Sequence, residues 1–103
     1  MPYKLIRDNI GRRIKKDEGH KIKIASECDM RQLLEIKLAE ELSELKESDF
    51  NDLFEYADVL TVLFAIARRK GITRLEILKA MDRKDLYSGE FDECYLLEIP
   101  DNK

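Results

Sequence analysis

An all-α domain is predicted for this 103-residue chain: an antiparallel bundle of about four helices, with room for a short strand at each end. Three observations lead there. Charged residues make up 40% of the chain and hydrophobic residues 44%, with only 4 Gly and 2 Pro, a balance that suits a helix-rich globular domain rather than a disordered chain. From Leu53 to Ala67 nearly every residue is apolar whichever way a helix is turned, and the exceptions Glu55, Asp58 and Thr61 recur at every third position to form one narrow stripe. Upstream, Leu34, Leu38, Leu42 and Leu45 trace an apolar stripe at helical spacing.

The elements follow in order. Tyr3-Lys4-Leu5-Ile6 reads as an extended lead-in. Ile6, Ile10 and Ile14, spaced four apart, predict a short amphipathic helix over residues 7–17 that Gly19 ends, with His20 in an exposed turn. Lys21-Ile22-Lys23-Ile24-Ala25 alternates with a period of two, as in a brief strand or an extended linker. Asp29, with Gln32 three residues on, predicts the cap of a second helix reaching about Lys46. Ser48-Asp49 marks a turn and a natural cap, and the apolar helix runs from about Asn51 to Lys70. Arg68, Arg69 and Lys70 suit its negative end, and Gly71 its left-handed cap. Thr73-Arg74-Leu75-Glu76 is a capping box that opens a fourth helix to about Leu86, and Gly89 breaks the chain. Phe91, Tyr95, Leu97 and Ile99 line one face of the second candidate strand, which Pro100 stops.

A helix that is apolar all round is normally buried, and carboxylates are almost never fully buried without a partner. Glu41 and Glu44 repeat the spacing of Glu55 and Asp58, and lie about 60° and 120° around their helix from Leu38, flanking its apolar stripe, while Glu40 points further outward. A three- to five-residue turn forces the two helices to lie antiparallel, which brings the two acidic pairs to one level. Such a cluster calls for a cation. An all-oxygen set without His or Cys suits Mg²⁺, with Mn²⁺ as a substitute, and Mg²⁺ bound by a few carboxylates commonly carries substrate phosphates. Lys37, Arg83, Lys84 and Arg7 are candidate cations for those phosphates. The competing structural account is a set of salt bridges to Lys or Arg. Tyr56, Tyr87 and Phe91 could stack on a base, but core packing is the commoner use of each.

Composition sets the remaining expectations. A net charge of −3 disfavours general binding to nucleic acid or an anionic membrane. Cys28 and Cys94 form no CxxC pair, so two reduced thiols, buried or idle, are expected instead of a zinc site or a disulfide. No apolar run is long enough to span a bilayer, which places the protein in the cytoplasm. Four short helices cannot cover every side of the apolar one. A homodimer, or a dimer of dimers, packed through Leu53–Ala67 is expected.

Glu40-Glu41-x-x-Glu44 followed by Glu55-x-x-Asp58 resembles the EExxE…ExxD signature of the all-α nucleotide pyrophosphohydrolase superfamily, which includes MazG-like enzymes, dimeric dUTPases and phosphoribosyl-ATP pyrophosphohydrolase. Lys4-Leu5-Ile6-Arg7-Asp8-Asn9-Ile10 is similar to the KLVRDKIP-type opening of its small phosphoribosyl-ATP pyrophosphohydrolase-like branch. Residues Lys84 to Phe91 are similar to that branch's K…RGGF-type tail. The resemblance implies Mg²⁺-dependent cleavage between the α- and β-phosphates of a nucleoside triphosphate, giving monophosphate and pyrophosphate. It implies Glu41, Glu44, Glu55 and Asp58 as metal ligands, Glu40 beside Glu41 as a catalytic, water-orienting acid, and Lys4, Arg7 and Lys84 as phosphate-binding positions. The chain departs from the pattern in its short Glu44–Glu55 connection, in Gly11 where Pro is usual, and in Ser88 and Glu90 in place of Arg and Gly. The first expectation is a house-cleaning enzyme acting on non-standard triphosphates. The alternatives are the phosphoribosyl-ATP hydrolase of histidine synthesis and a non-catalytic helical module that binds nucleotide or a protein partner.

Overall fold

The computed structural model describes residues 3–15 and 21–101. The expected end of the first helix, Gly19 and His20 lie outside them. The described residues form four helices, α1 (Asp8–Lys15), α2 (Glu27–Glu47), α3 (Leu53–Arg69) and α4 (Arg74–Ser88). The all-α expectation is met.

Local chemistry accounts for the helix ends. Ser26, not Asp29, caps α2: its Oγ accepts the Asp29 N–H at 3.1 Å. Asp29 carries an acid into the first turn instead, where the helix dipole favours it. Asp52 caps α3 by accepting the Phe54 N–H at 2.9 Å, a role expected of Ser48-Asp49. The capping box of α4 forms as expected, with Thr73 Oγ1 accepting from the Glu76 N–H and Glu76 Oε1 accepting from the Thr73 N–H.

Two closures of the same kind hold the α2–α3–α4 path. At the end of α2 the Phe50 N–H donates to the Leu45 carbonyl (3.0 Å) and the Asp49 N–H to that of Lys46 (2.9 Å). At the end of α3 the Ile72 N–H donates to Ala67 (3.0 Å) and the Gly71 N–H to Arg68 (3.0 Å). These are Schellman closures, which need a left-handed residue just past the helix. Gly71 supplies it at φ 78° without strain, whereas Asp49 supplies it at φ 56°, followed by Phe50 at 58°.

α2 and α3 form the antiparallel hairpin that a short turn dictates. One end is the turn at residues 48–52, and the other is tied by Arg69 Nε donating to Glu27 Oε2 at 3.2 Å. Leu34 and Leu45 of α2 and Val59 and Val62 of α3 are the buried apolar side chains of the core among the described residues. Among the described helices, α4 touches only α3. The packed unit among the described helices is therefore the α2–α3 hairpin, and α4 buries none of its residues.

Residues 21–26 and 94–101 carry no regular structure, and there is no strand among the described residues. A strand needs a partner ladder, and no described segment lies alongside either stretch to supply one. Nor is α3 covered on all sides: Leu53 and Phe54 are each 76% exposed, and Leu60 and Leu63 remain exposed. Tyr56, Tyr87 and Phe91, expected in a core, are exposed as well. The accessible surface is 9836 Å², against roughly 6,000 Å² for a compact chain of this length. Cys28 and Cys94 are free thiols and both exposed, so neither is buried. Among the described residues, no helix is long and apolar enough to cross a membrane.

Candidate metal centre and its cleft

Three of the four expected carboxylates converge. Glu41, Glu55 and Asp58 each present an oxygen within 4.8 Å of the others. The helical repeat explains the placement. Glu55 and Asp58, three apart, share one face of α3, and Glu41 meets them from α2 across the hairpin. Glu44 is half-buried beside them, and its negative charge acts on both Glu41 and Glu55.

Glu41 is 6% exposed, the most buried charged residue in the core. Burial pushes its carboxyl above the ordinary glutamate value against the pull of Lys37, and the charges of Glu44 and Asp58 push the same way. Glu55 is also raised, first by desolvation and then by Glu44, Asp52, Asp58 and Glu41. Glu41 Oε2 and Glu55 Oε2 are both buried and have no hydrogen-bond partner. A buried carboxylate oxygen left unpaired is costly, and both belong to acids of one like-charged cluster. Hard oxygen donors, unpartnered and converging, fit a divalent cation such as Mg²⁺.

Cations of the chain reach the same acids. Arg7 donates to Asp58 Oδ1 at 2.5 Å. Lys37 lies 3.2 Å from Glu41 and 3.5 Å from Glu40, and Lys4 lies 3.3 Å from Glu40. Desolvation works upward on Glu40, but these two lysines outweigh it and hold its carboxyl low. Glu40 therefore stands one step outside the cluster, as an ionised acid gripped by lysines. Lys4, Arg7 and Lys37, expected at phosphates, sit on carboxylates.

The carboxylates open into a cleft of about 560 Å³. Leu5, Ile6 and Arg7 wall one side of it, Lys37 and Glu41 of α2 another, and the α3 face bearing Asp58, Thr61, Ala65 and Arg68 a third. Thr73 and Arg74 at the start of α4 close the far end. Arg83 and Lys84, also expected at phosphates, are exposed on the second half of α4 and do not line this cleft.

Arg68, Arg69 and Arg74 are lining cations that the sequence did not single out, and of these Arg69 is paired with Glu27. The helix dipole already explained an arginine in the last turn of α3, and a capping box already explained the stretch around Arg74. The available signal was the register Asp58, Thr61, Ala65, Arg68, one track of polar and small residues along an otherwise apolar helix. No known protein family, curated protein or solved structure matches this chain.

Proposed function

We propose that the chain is a Mg²⁺-dependent nucleoside triphosphate pyrophosphohydrolase that cleaves between the α- and β-phosphates and releases monophosphate and pyrophosphate. The observation that carries this reading is the convergence of Glu41, Glu55 and Asp58 within 4.8 Å, two of them with a buried unpartnered oxygen, at the mouth of a cleft lined by arginines.

Glu41, Glu55 and Asp58 would hold the cation, with Glu44 beside them. Bound Mg²⁺ supplies Lewis-acid neutralisation of phosphate oxygens and activation of water. The chain's own residues do the rest. Glu40, kept ionised by Lys4 and Lys37, can accept a hydrogen bond from the attacking water and orient it. Arg7 and Lys37 neutralise the acids while no cation is bound, and both line the cleft where the phosphates arrive. Leu5, Ile6 and Val62 exclude bulk water from its floor.

The test is pyrophosphate release from a panel of ribo-, deoxyribo- and modified triphosphates, in Mg²⁺ and in EDTA, with Glu41→Gln as control. Release that needs Mg²⁺ and is lost in the control supports the activity. Release that persists in EDTA overturns it.

The ion pairs favour a second reading. If Arg7 and Lys37 satisfy Asp58 and Glu41 permanently, the cluster is a structural salt-bridge set in a non-catalytic helical module. Binding of Mg²⁺ by the wild type, lost in Glu41→Gln, would exclude that module.

The enzyme acts as a homodimer, or a dimer of dimers, through the exposed apolar face of α3. Leu53, Phe54 and Leu60 there, and a surface well above that of a compact monomer, support a second copy as their cover. A monomer by light scattering at micromolar concentration would overturn this.

A further inference from the structure

The cleft has two chemically opposite ends. At one are Glu41 and Asp58; at the other are Arg68 in the last turn of α3 and Arg74 in the first turn of α4. The remaining cations that line it are already engaged. Arg7 pairs with Asp58, Lys37 with Glu41, and Arg69 with Glu27. Among the described residues, Arg68 and Arg74 have no carboxylate partner. Arg74 lies over the Phe64 ring, its guanidinium carbon 5.0 Å from the centroid, and Phe64 lines the cleft too. This cation–π contact anchors the guanidinium without using its N–H donors, which are left for an oxyanion. Glu76, the nearest acid in sequence, is turned to the Thr73 backbone and hydroxyl and does not line the cleft.

Spacing identifies the occupant. Asp58 and Arg68 are ten residues apart on one helix, an axial rise of about 15 Å. The arginine side chain leans back toward the helix N-terminus, so the gap between a cation held at Asp58 and the guanidinium of Arg68 shortens to roughly 10 Å. A lone phosphate on the cation would not bridge that gap; a chain of linked phosphates reaches across it. Glu41, more than nine-tenths buried with Oε2 unpartnered, marks the metal end of the same cleft.

We propose that Arg68 and Arg74 seat the terminal phosphates of the triphosphate, the part that leaves as pyrophosphate, at the end of the cleft opposite the carboxylates. The proposal rests on the metal-dependent triphosphate reading above, and it assigns a direction to the substrate. The pyrophosphate end points to the α3–α4 corner and the nucleoside to the side walled by Leu5 and Ile6. Selection of triphosphates over monophosphates then comes from two guanidinium groups that a monophosphate cannot reach.

The experiment is calorimetric titration of inorganic tripolyphosphate and, separately, of Mg²⁺ alone. The proteins are the wild type, Arg68→Gln, Arg74→Gln and Lys79→Gln, each first shown to melt cooperatively. Lys79 is an exposed α4 residue outside the cleft. Losing a charge-assisted hydrogen bond lowers affinity by about tenfold or more. We expect each arginine variant to lose at least that for tripolyphosphate, while Mg²⁺ affinity stays within twofold and Lys79→Gln binds as the wild type does. Arg68→Gln carries the test alone if Arg74→Gln fails to fold. Tripolyphosphate binding that ignores both arginines, or that falls equally in Lys79→Gln, overturns the proposal while leaving the metal reading standing. No Mg²⁺ binding in any protein, with arginine-dependent tripolyphosphate binding in EDTA, would instead remove the metal reading and keep this anion subsite.

Discussion

Asp58→Asn separates a metal centre from a structural salt bridge. The substitution keeps the shape and an oxygen that can still accept from Arg7, but removes one negative charge. What is lost is the ionic part of the Arg7–Asp58 pair, whose side chains are 54% and 34% exposed; pairs that open to water are worth about 1 kcal/mol at most. What is gained is relief from Glu41, whose carboxylate oxygen lies within 4.8 Å of Asp58's. Two unit charges at that separation, in a medium between protein surface and water, repel by about 1–2 kcal/mol. Glu55 adds repulsion in the same sense. The metal-free variant should therefore melt within a few degrees of the wild type, or above it. A buried structural pair would behave otherwise: losing one partner costs about 3–5 kcal/mol, a fall of roughly 12 °C or more for a domain of this size. The second half of the assay adds Mg²⁺. At ten times its Kd, the cation stabilises the wild type by about 1.4 kcal/mol, a rise of roughly 6–11 °C, and Asp58→Asn should show none of it. Thermal melts of both proteins in EDTA and in Mg²⁺ give all four numbers. A collapse of Asp58→Asn in EDTA, or a full Mg²⁺ shift retained in it, would refute the reasoning.

Other consequences follow from the same groups. The carboxyls of Glu41 and Glu55 are raised above the ordinary glutamate value of 4.5, so the folded chain binds protons there more tightly than the unfolded one. In EDTA, stability from these groups should grow as pH is lowered from neutral toward 4.5, and Glu41→Gln should flatten that slope in a pH series of melts. Glu40 is held low and acts oppositely: its contribution is complete above the unfolded value and is lost only as pH falls below 4.5 through its folded value. Glu40→Gln should accordingly soften the acid limb alone. Asp49 sits in the left-handed region at φ 56° where Gly is strain-free, so Asp49→Gly should raise stability by about 0.5–1 kcal/mol in denaturant titration. A loss there would mean that its side chain supplies more than the backbone costs.

What could be read from the sequence was what local periodicity decides. A three-residue interval within one helix places Glu55 and Asp58 on one face whatever else the chain does. A five-residue turn leaves α2 no course but back along α3. Those two facts bring Glu41 to the same level, and the structure gathers these three acids. The sequence does not decide the cap of α2, because Ser26 and Asp29 are both residue types that cap helices, and only the backbone's departure from helix at Ser26, φ −70° and ψ 159°, separates them. The expected strands failed for a different reason. Alternation describes one strand, but a strand is stable only beside another, and sequence spacing does not supply the neighbour. The same limit hid Arg68 and Arg74. Each has a sufficient local explanation, and that explanation conceals a second purpose where one residue serves two. The last turn of α3 needs cations for its dipole, yet the dipole does not care which face they occupy. Arg68 continues the track of Asp58, Thr61 and Ala65 and has no carboxylate partner among the described residues, while Arg69, which also lines the cleft, is paired with Glu27. If the dipole were the only requirement, exchanging the roles of the two would cost nothing. Arg68→Gln and Arg69→Gln should then weaken tripolyphosphate binding equally, whereas a phosphate seat at Arg68 makes the first the more damaging by about tenfold or more.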